Sequence, residues 1–233
     1  MNPAQDENPV NPAQDQQAQD APADQRPVGY SIVLPPGWRR IPVRWGSKKA
    51  IREAVDEAFS VLPKDAPPDT VGPYRKELER YLTELVRDAR TKGGIDLYLP
   101  VLPVYGAPMP ASFVVADISE ALRPAGEVPD PAQAIAMFAA GNDDAHPVTV
   151  DGAIGLRIEN TGKASLEKGE EFGTYQVDYV LSVPGTRDRW LAVYFATLGG
   201  GNPDDPVAAL LTSLFDAMMT TFRWEQEAQG EPA

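Results

Sequence analysis

The chain has 233 residues, 42% of them hydrophobic, enough for one domain of about 200 residues, or two small ones, with a real core. Its 34 acidic residues against 21 basic ones give a net charge of −13, the wrong sign for a partner made of nucleic acid or an anionic membrane surface. There is no cysteine, which excludes disulfides, thiolate metal sites and a cysteine nucleophile, and no apolar run approaches the ~18–20 residues of a spanning helix.

Residues 1–29 read as a disordered acidic tail. After Met1 they contain only Val10 and Val28 as large aliphatics, and Asn-Pro-Ala-Gln-Asp occurs at 2–6 and again at 11–15. Asp6, Glu7, Asp15, Asp20 and Asp24 face one base, Arg26, so the segment has too little apolar area to offset its ordering entropy. It lacks the basic start and apolar stretch of a secretory signal, and the expectation that follows is a cytoplasmic protein. Residues 30–226 then read as one domain, and residues 227–233 as a disordered end.

Within the domain, Tyr30–Leu34 reads as a strand, Pro35-Pro36-Gly37 as a turn, and Trp38–Val43 as a second strand that Pro42 assigns to a sheet edge. Ser47 is placed to cap a helix reaching Leu62, with Ala50, Ile51, Ala54, Val55, Ala58, Phe59 and Leu62 on one face. A second helix is predicted from about Gly72 to Thr91, striped by Tyr74, Leu78, Tyr81, Leu82, Leu85, Val86 and Ala89 and stopped by Gly93-Gly94. Ile95–Leu102 and Ala111–Ser119 follow as strands. Asp130-Pro131 supplies a cap and a first helical position for a helix to Ala140. Gly141–Pro147 reads as a loop, and Val148–Val150 with Ala153–Glu159 as a hairpin about Asp151-Gly152. Gly173–Val183 and Arg189–Leu198 form a second strand pair. Asp205-Pro206 opens a last helix with an apolar face of Val207, Leu210, Leu211, Leu214, Phe215, Met218 and Phe222, closing on Arg223 and Trp224. About eight strands arriving as neighbouring pairs, with four helices, define an α+β domain in which helices pack on the faces of an antiparallel sheet.

Tyr30–Trp38 with its Pro-Gly-Trp, the strands Tyr175–Val183 and Trp190–Thr197, and the final helix Ala208–Arg223 ending in Thr-Phe-Arg resemble the PsbP-like superfamily, and within it the LpqN-type proteins of actinobacteria. The resemblance implies an α/β/α sandwich around an antiparallel sheet. It also implies a protein-binding or accessory role without shared catalytic residues, linked to secretion or the cell envelope. LpqN-type proteins are exported and anchored through a lipidated cysteine, which this sequence lacks, so an envelope location does not carry over.

No stretch matches a catalytic, metal or cofactor motif. Asp143, Asp144 and His146 could supply oxygen and imidazole ligands or a carboxylate-oriented base, or form a polar turn ahead of a strand. Gly199–Asp205 sits where phosphate loops sit but ends in Asp204 and Asp205, which repel phosphate and suit a cation or a helix cap instead. Trp45 and Trp224 read either as interface residues or as packing, while Trp38 and Trp190 read as core or half-buried strand residues. Tyr98, Tyr179 and Tyr194 could line an apolar pocket between sheet and helices. The leading expectation is a non-enzymatic protein that binds a protein partner and needs no cofactor. The alternative is an enzyme, or a small-molecule or metal-binding protein, using Asp143, Asp144 and His146.

Overall fold

The computed structural model describes residues 26–63, 67–104, 106, 109–123, 126, 128–165, 171–198 and 205–227. In chain order the elements are β1 (Gly29–Ser31), β2 (Trp38–Pro42), α1 (Ser47–Ala58), α2 (Pro68–Thr91), β3 (Gly94–Pro100), β4 (Ala111–Asp117) and α3 (Pro131–Ala140). They continue as β5 (Ala145–Val150), β6 (Ala153–Ser165), β7 (Glu171–Ser182), β8 (Trp190–Leu198), α4 (Pro206–Met219) and β9 (Arg223–Glu225). Seven strands form one antiparallel sheet in the order β2-β3-β4-β8-β7-β6-β5, and β1 pairs with β9 in a separate ribbon. This is the α+β class that the paired strands predict.

The period-two alternation of strands decides which face each helix covers. Along β8, Leu191, Val193 and Phe195 join the cluster that holds Ala208, Leu211 and Phe215 of α4. The intervening Trp190 and Ala192 join Ala134 and Ile135 of α3. On β4, Phe113 and Val115 belong to the α4 cluster, while Val114 packs against the cluster of α1 and α2 built on Ile41, Ile51, Leu82 and Leu97. α4 therefore covers one face, and α1, α2 and α3 lie on the other.

Phe215 is the centre of the α4 core. It is fully buried and stacks on Phe195 at 4.6 Å, with Phe113 tilted at 5.5 Å and Tyr179 edge-on at 5.7 Å. A fully buried ring of this size stabilises a fold by about 1.5–3 kcal/mol through burial alone, with about 0.5–1.5 kcal/mol more for well-placed aromatic pairs.

Local chemistry explains the element ends. The Asp130 and Asp205 carboxylates accept from the N–H groups of Ala132 and Val207, both at 2.9 Å, and a proline follows each at the first helical position. Asp151 and Gly152 both have positive φ, at 46° and 78°, as a tight two-residue hairpin requires. Gly93 ends the connection from α2 with φ of 80°, and a Cβ there would stand 2.3 Å from the Asp117 carbonyl oxygen.

Several boundaries differ from the sequence expectation. Gly46 in the left-handed region, not the Ser47 side chain, occupies the cap of α1, which ends at Ala58 rather than Leu62. Pro68 starts α2 earlier than Gly72, because proline is tolerated in a first turn. β5 begins at Ala145, inside the expected loop. On α4, Val207 and Leu210 are exposed at 53% and 69%, and the buried face is Ala208, Leu211, Thr212, Phe215, Met218 and Met219. Trp224 lies in β9, not on the helix. The first strand is Gly29–Ser31 rather than Tyr30–Leu34, and the Val28 N–H donates to the Glu225 carbonyl at 2.8 Å. Residues 1–25 and 228–233, and the loop residues Gly199–Asp204, lie outside the described residues. Among the described residues no helix is long and apolar enough to cross a membrane.

Candidate functional site

A cleft of about 510 Å³ is bordered by the segment after β4, the middle and C-terminal half of α3 and the β7–β8 turn. Its construction follows from a few contacts. Ile118 N–H donates to the Trp190 carbonyl at 3.1 Å, and Trp190 N–H donates to the Ser119 hydroxyl at 2.9 Å, so the chain leaving β4 is fixed to the start of β8. The Ser119 hydroxyl donates in turn to Asp117 at 2.5 Å. Burial opposes the Asp117 charge, but the side-chain and backbone hydrogen bonds from Ser119, with the nearby charges of Arg189 and Arg44, hold its carboxyl below the usual range. Thr186 and Gly185, at φ of 72°, close the opposite wall as a turn, with the Thr186 hydroxyl donating to the Val183 carbonyl at 2.8 Å.

The cleft is lined by Leu122, Val128, Pro129, Ala134, Met137, Phe138 and Trp190, with Arg123, Arg187 and Asp188 among its polar residues. α3 buries Ala134 and Ile135 against the sheet, while Met137 and Phe138 remain 73% and 53% exposed. Two large apolar side chains thus stand in water beside a largely apolar hollow.

The other polar clusters are internally satisfied. Asp96 is fully buried and receives the Tyr30 hydroxyl and Arg40 Nε, the latter at 2.8 Å, while Tyr98 donates to Tyr30 at 3.2 Å. Burial, with the neighbouring Tyr98 and Asp96, pushes the Tyr30 phenol far up; burial and the Asp96 charge push the Tyr98 phenol up to about 12 against the opposing effect of its bond to Tyr30. On the α4 face, Arg157 forks onto Asp216 at 3.1 and 3.0 Å and bonds Glu159; Tyr175 donates to Glu159, and Tyr179 to Asp216 at 2.9 Å. Burial opposes the Glu159 charge, and the bonds from Tyr175 and Arg157 hold its carboxyl below the usual range. Burial, then the bond to Glu159, pushes the Tyr175 phenol up to about 12. Each acid in these networks is committed to a cation and a hydroxyl, and the phenols are moved away from any role as bases at neutral pH.

The residues singled out from sequence separate. Asp143 and Asp144 are exposed, and the Asp144 N–H donates to Asn142 Oδ1 at 3.0 Å, a local turn bond. His146 is exposed on the edge strand β5 opposite Arg157. Among the described residues no three His, Cys, Asp or Glu side chains are arranged to hold a metal ion. Asp205 acts as a helix cap. Trp38 and Trp190 are core, Trp224 packs edge-on to Phe222 at 4.9 Å, and Trp45 is 88% exposed in the β2–α1 turn. Tyr98 is buried in the core and Tyr194 stands on the sheet face. Tyr179 borders a smaller cavity of about 320 Å³ beside β5, Asp216 and Met219. Sequence reading missed the α3 cleft because its lining comes from separate segments joined only by folding; the mixture of Met137 and Phe138 with small alanines on one short helix was its one visible sign.

No protein-family model matches the chain, and no curated protein matches it.

Proposed function

We propose that this chain is a non-enzymatic binding protein whose α3 cleft receives an apolar side chain of a protein partner. The observation that carries the reading is the exposed pair Met137 and Phe138 beside a hollow of about 510 Å³. Aromatic and methionine side chains are enriched where partners dock, and a few such anchors supply most of the binding energy. The resemblance to PsbP-like proteins, an accessory superfamily, supports the same role. The Asp96 and Asp216 carboxylates are engaged by cations and hydroxyls, and among the described residues Asp143, Asp144 and His146 belong to no group of three side chains that could hold a metal ion.

The test compares the parent chain with Phe138→Asp and Trp45→Asp in affinity capture from native cells. Loss of one partner with Phe138→Asp, its retention with Trp45→Asp and unchanged melting of both variants support the cleft. Equal capture by all three overturns it.

The volume and apolar lining of the cleft favour a second reading, a small apolar ligand, because they fall in the range of small-molecule sites. Thermal stabilisation by an apolar fragment that fails with Phe138→Asp, in a chain that captures no protein, distinguishes it.

A further inference from the structure

The sheet face that carries α1, α2 and α3 holds two separate apolar clusters. One is built by α1 and α2 on β2 and β3, the other by α3 on the far strands, and Tyr194 and Ala196 of β8 belong to neither. Tyr194 is 38% exposed. Beside it, opposite Tyr194 across the β7–β8 ladder and opposite Ile158 across the β6–β7 ladder, stands Asp178. Val114 of β4 flanks Tyr194 on its other side.

Asp178 differs from the other carboxylates set into the sheet. Asp96, Asp117 and Glu159, like Asp216 of α4, each have at least two hydrogen-bonding or charged partners. Asp178 is half-buried and has neither a hydrogen bond nor an ion pair among the described residues. Burial alone acts on it and pushes its carboxyl up to about 6, with no cation to draw it back. An unpaired acid at mid-sheet, beside an aromatic ring and aliphatic neighbours, destabilises the fold when ionised; such local inconsistencies concentrate at functional sites.

We propose that Asp178 and Tyr194 are the floor of a cation subsite that takes a lysine or arginine side chain from a partner segment laid over the open strip between the two helix clusters. The chemistry of the strip selects this occupant. The carboxylate supplies the counter-charge, the Tyr194 ring a cation–π surface, and Ile158 and Val114 an apolar bed for the methylene stem. The whole chain carries 34 acidic against 21 basic residues, so its net field favours a cation over an anion at the strip. That the cation arrives on a polypeptide rests on the binding role proposed above; the subsite itself does not.

The experiment titrates the full chain with N-acetyl-arginine amide and follows the Asp178 carboxyl and Tyr194 ring by NMR. A saturable shift at both, with the Asp178 midpoint lowered by about one pH unit, is expected. It disappears with Asp178→Asn and weakens with Tyr194→Leu, while Asp88→Asn, at an exposed position of α2, leaves it intact. Shifts spread over surface acids, or unchanged in Asp178→Asn, overturn the subsite. If Asp178→Asn fails to fold, Tyr194→Leu and the site-resolved shifts decide alone. A second arm uses the peptide acetyl-Gly-Leu-Arg-Leu-Gly-amide, expected to bind at least about tenfold more tightly than the amino-acid amide. No gain overturns the polypeptide occupant in favour of a small organic cation, and leaves the α3 cleft to its own test.

Discussion

The Tyr30 hydroxyl donates to the Asp96 carboxylate, joining β1 to β3 of the main sheet. Tyr30 stands opposite Trp224 in the β1–β9 pair, and its ring stacks on Phe222 at 5.5 Å. One side chain thus links the start of the domain, its end and the sheet.

Removing that hydroxyl takes one donor from a fully buried acid. Tyr30→Phe is expected to destabilise the domain by about 1–3 kcal/mol, and Tyr98→Phe, whose hydroxyl reaches Asp96 only through Tyr30, by about 1 kcal/mol. Denaturant unfolding measures both; equal small losses contradict the assigned order of the network.

Helix caps separate in the same way. Asp130→Ala and Asp205→Ala each remove a carboxylate that accepts a backbone N–H, an expected loss of about 0.5–2 kcal/mol. Ser47→Ala is expected to cost almost nothing, because α1 has no side-chain cap bond. Melting temperatures of the three variants, compared in one buffer, check the contrast.

Those caps also mark what was legible in the sequence. An aspartate before a proline is a local signal, and so is Asp151-Gly152; each specified its element correctly because neighbouring residues alone decide it. The β1–β9 pair was not legible: Trp224 was expected to close the last helix, and the contact of Tyr30 with Asp96 joins residues 66 positions apart. The apolar face of α4 was displaced because Val207 and Leu210 satisfy helical spacing without touching the sheet, while Met219 and Ala208 do touch it. The α3 cleft and Asp178 were not legible, since strand order places β8 between β4 and β7 and brings their surroundings together only after folding.

The pH dependence of stability isolates Asp178. Its carboxyl is pushed from 3.8 up to about 6 in the folded state, so the folded protein holds more protons than the unfolded chain between those values. Stability from this group is complete below about pH 4 and is lost as pH rises through about 6. Asp178→Asn is therefore expected to match the parent at pH 4 and to be more stable at pH 7.5. An equal difference at both pH values removes the unpaired acid from the account.

Met137→Ser and Phe138→Ser should change stability by no more than about 0.5 kcal/mol, because both side chains stand largely in water. Trp190→Ala, which empties the buried wall of the same cleft, should cost about 3–5 kcal/mol. Chemical denaturation of the three variants separates a surface kept for binding from one required for folding.

Site-specific photo-crosslinking from position 138 in native cells tests the binding role most directly. With a photoreactive phenylalanine analogue replacing Phe138, the account predicts one discrete protein adduct, abolished by Met137→Asp and absent when the same group replaces the exposed Tyr74 of α2. No adduct at 138, or the same adducts from 138 and 74, would contradict it.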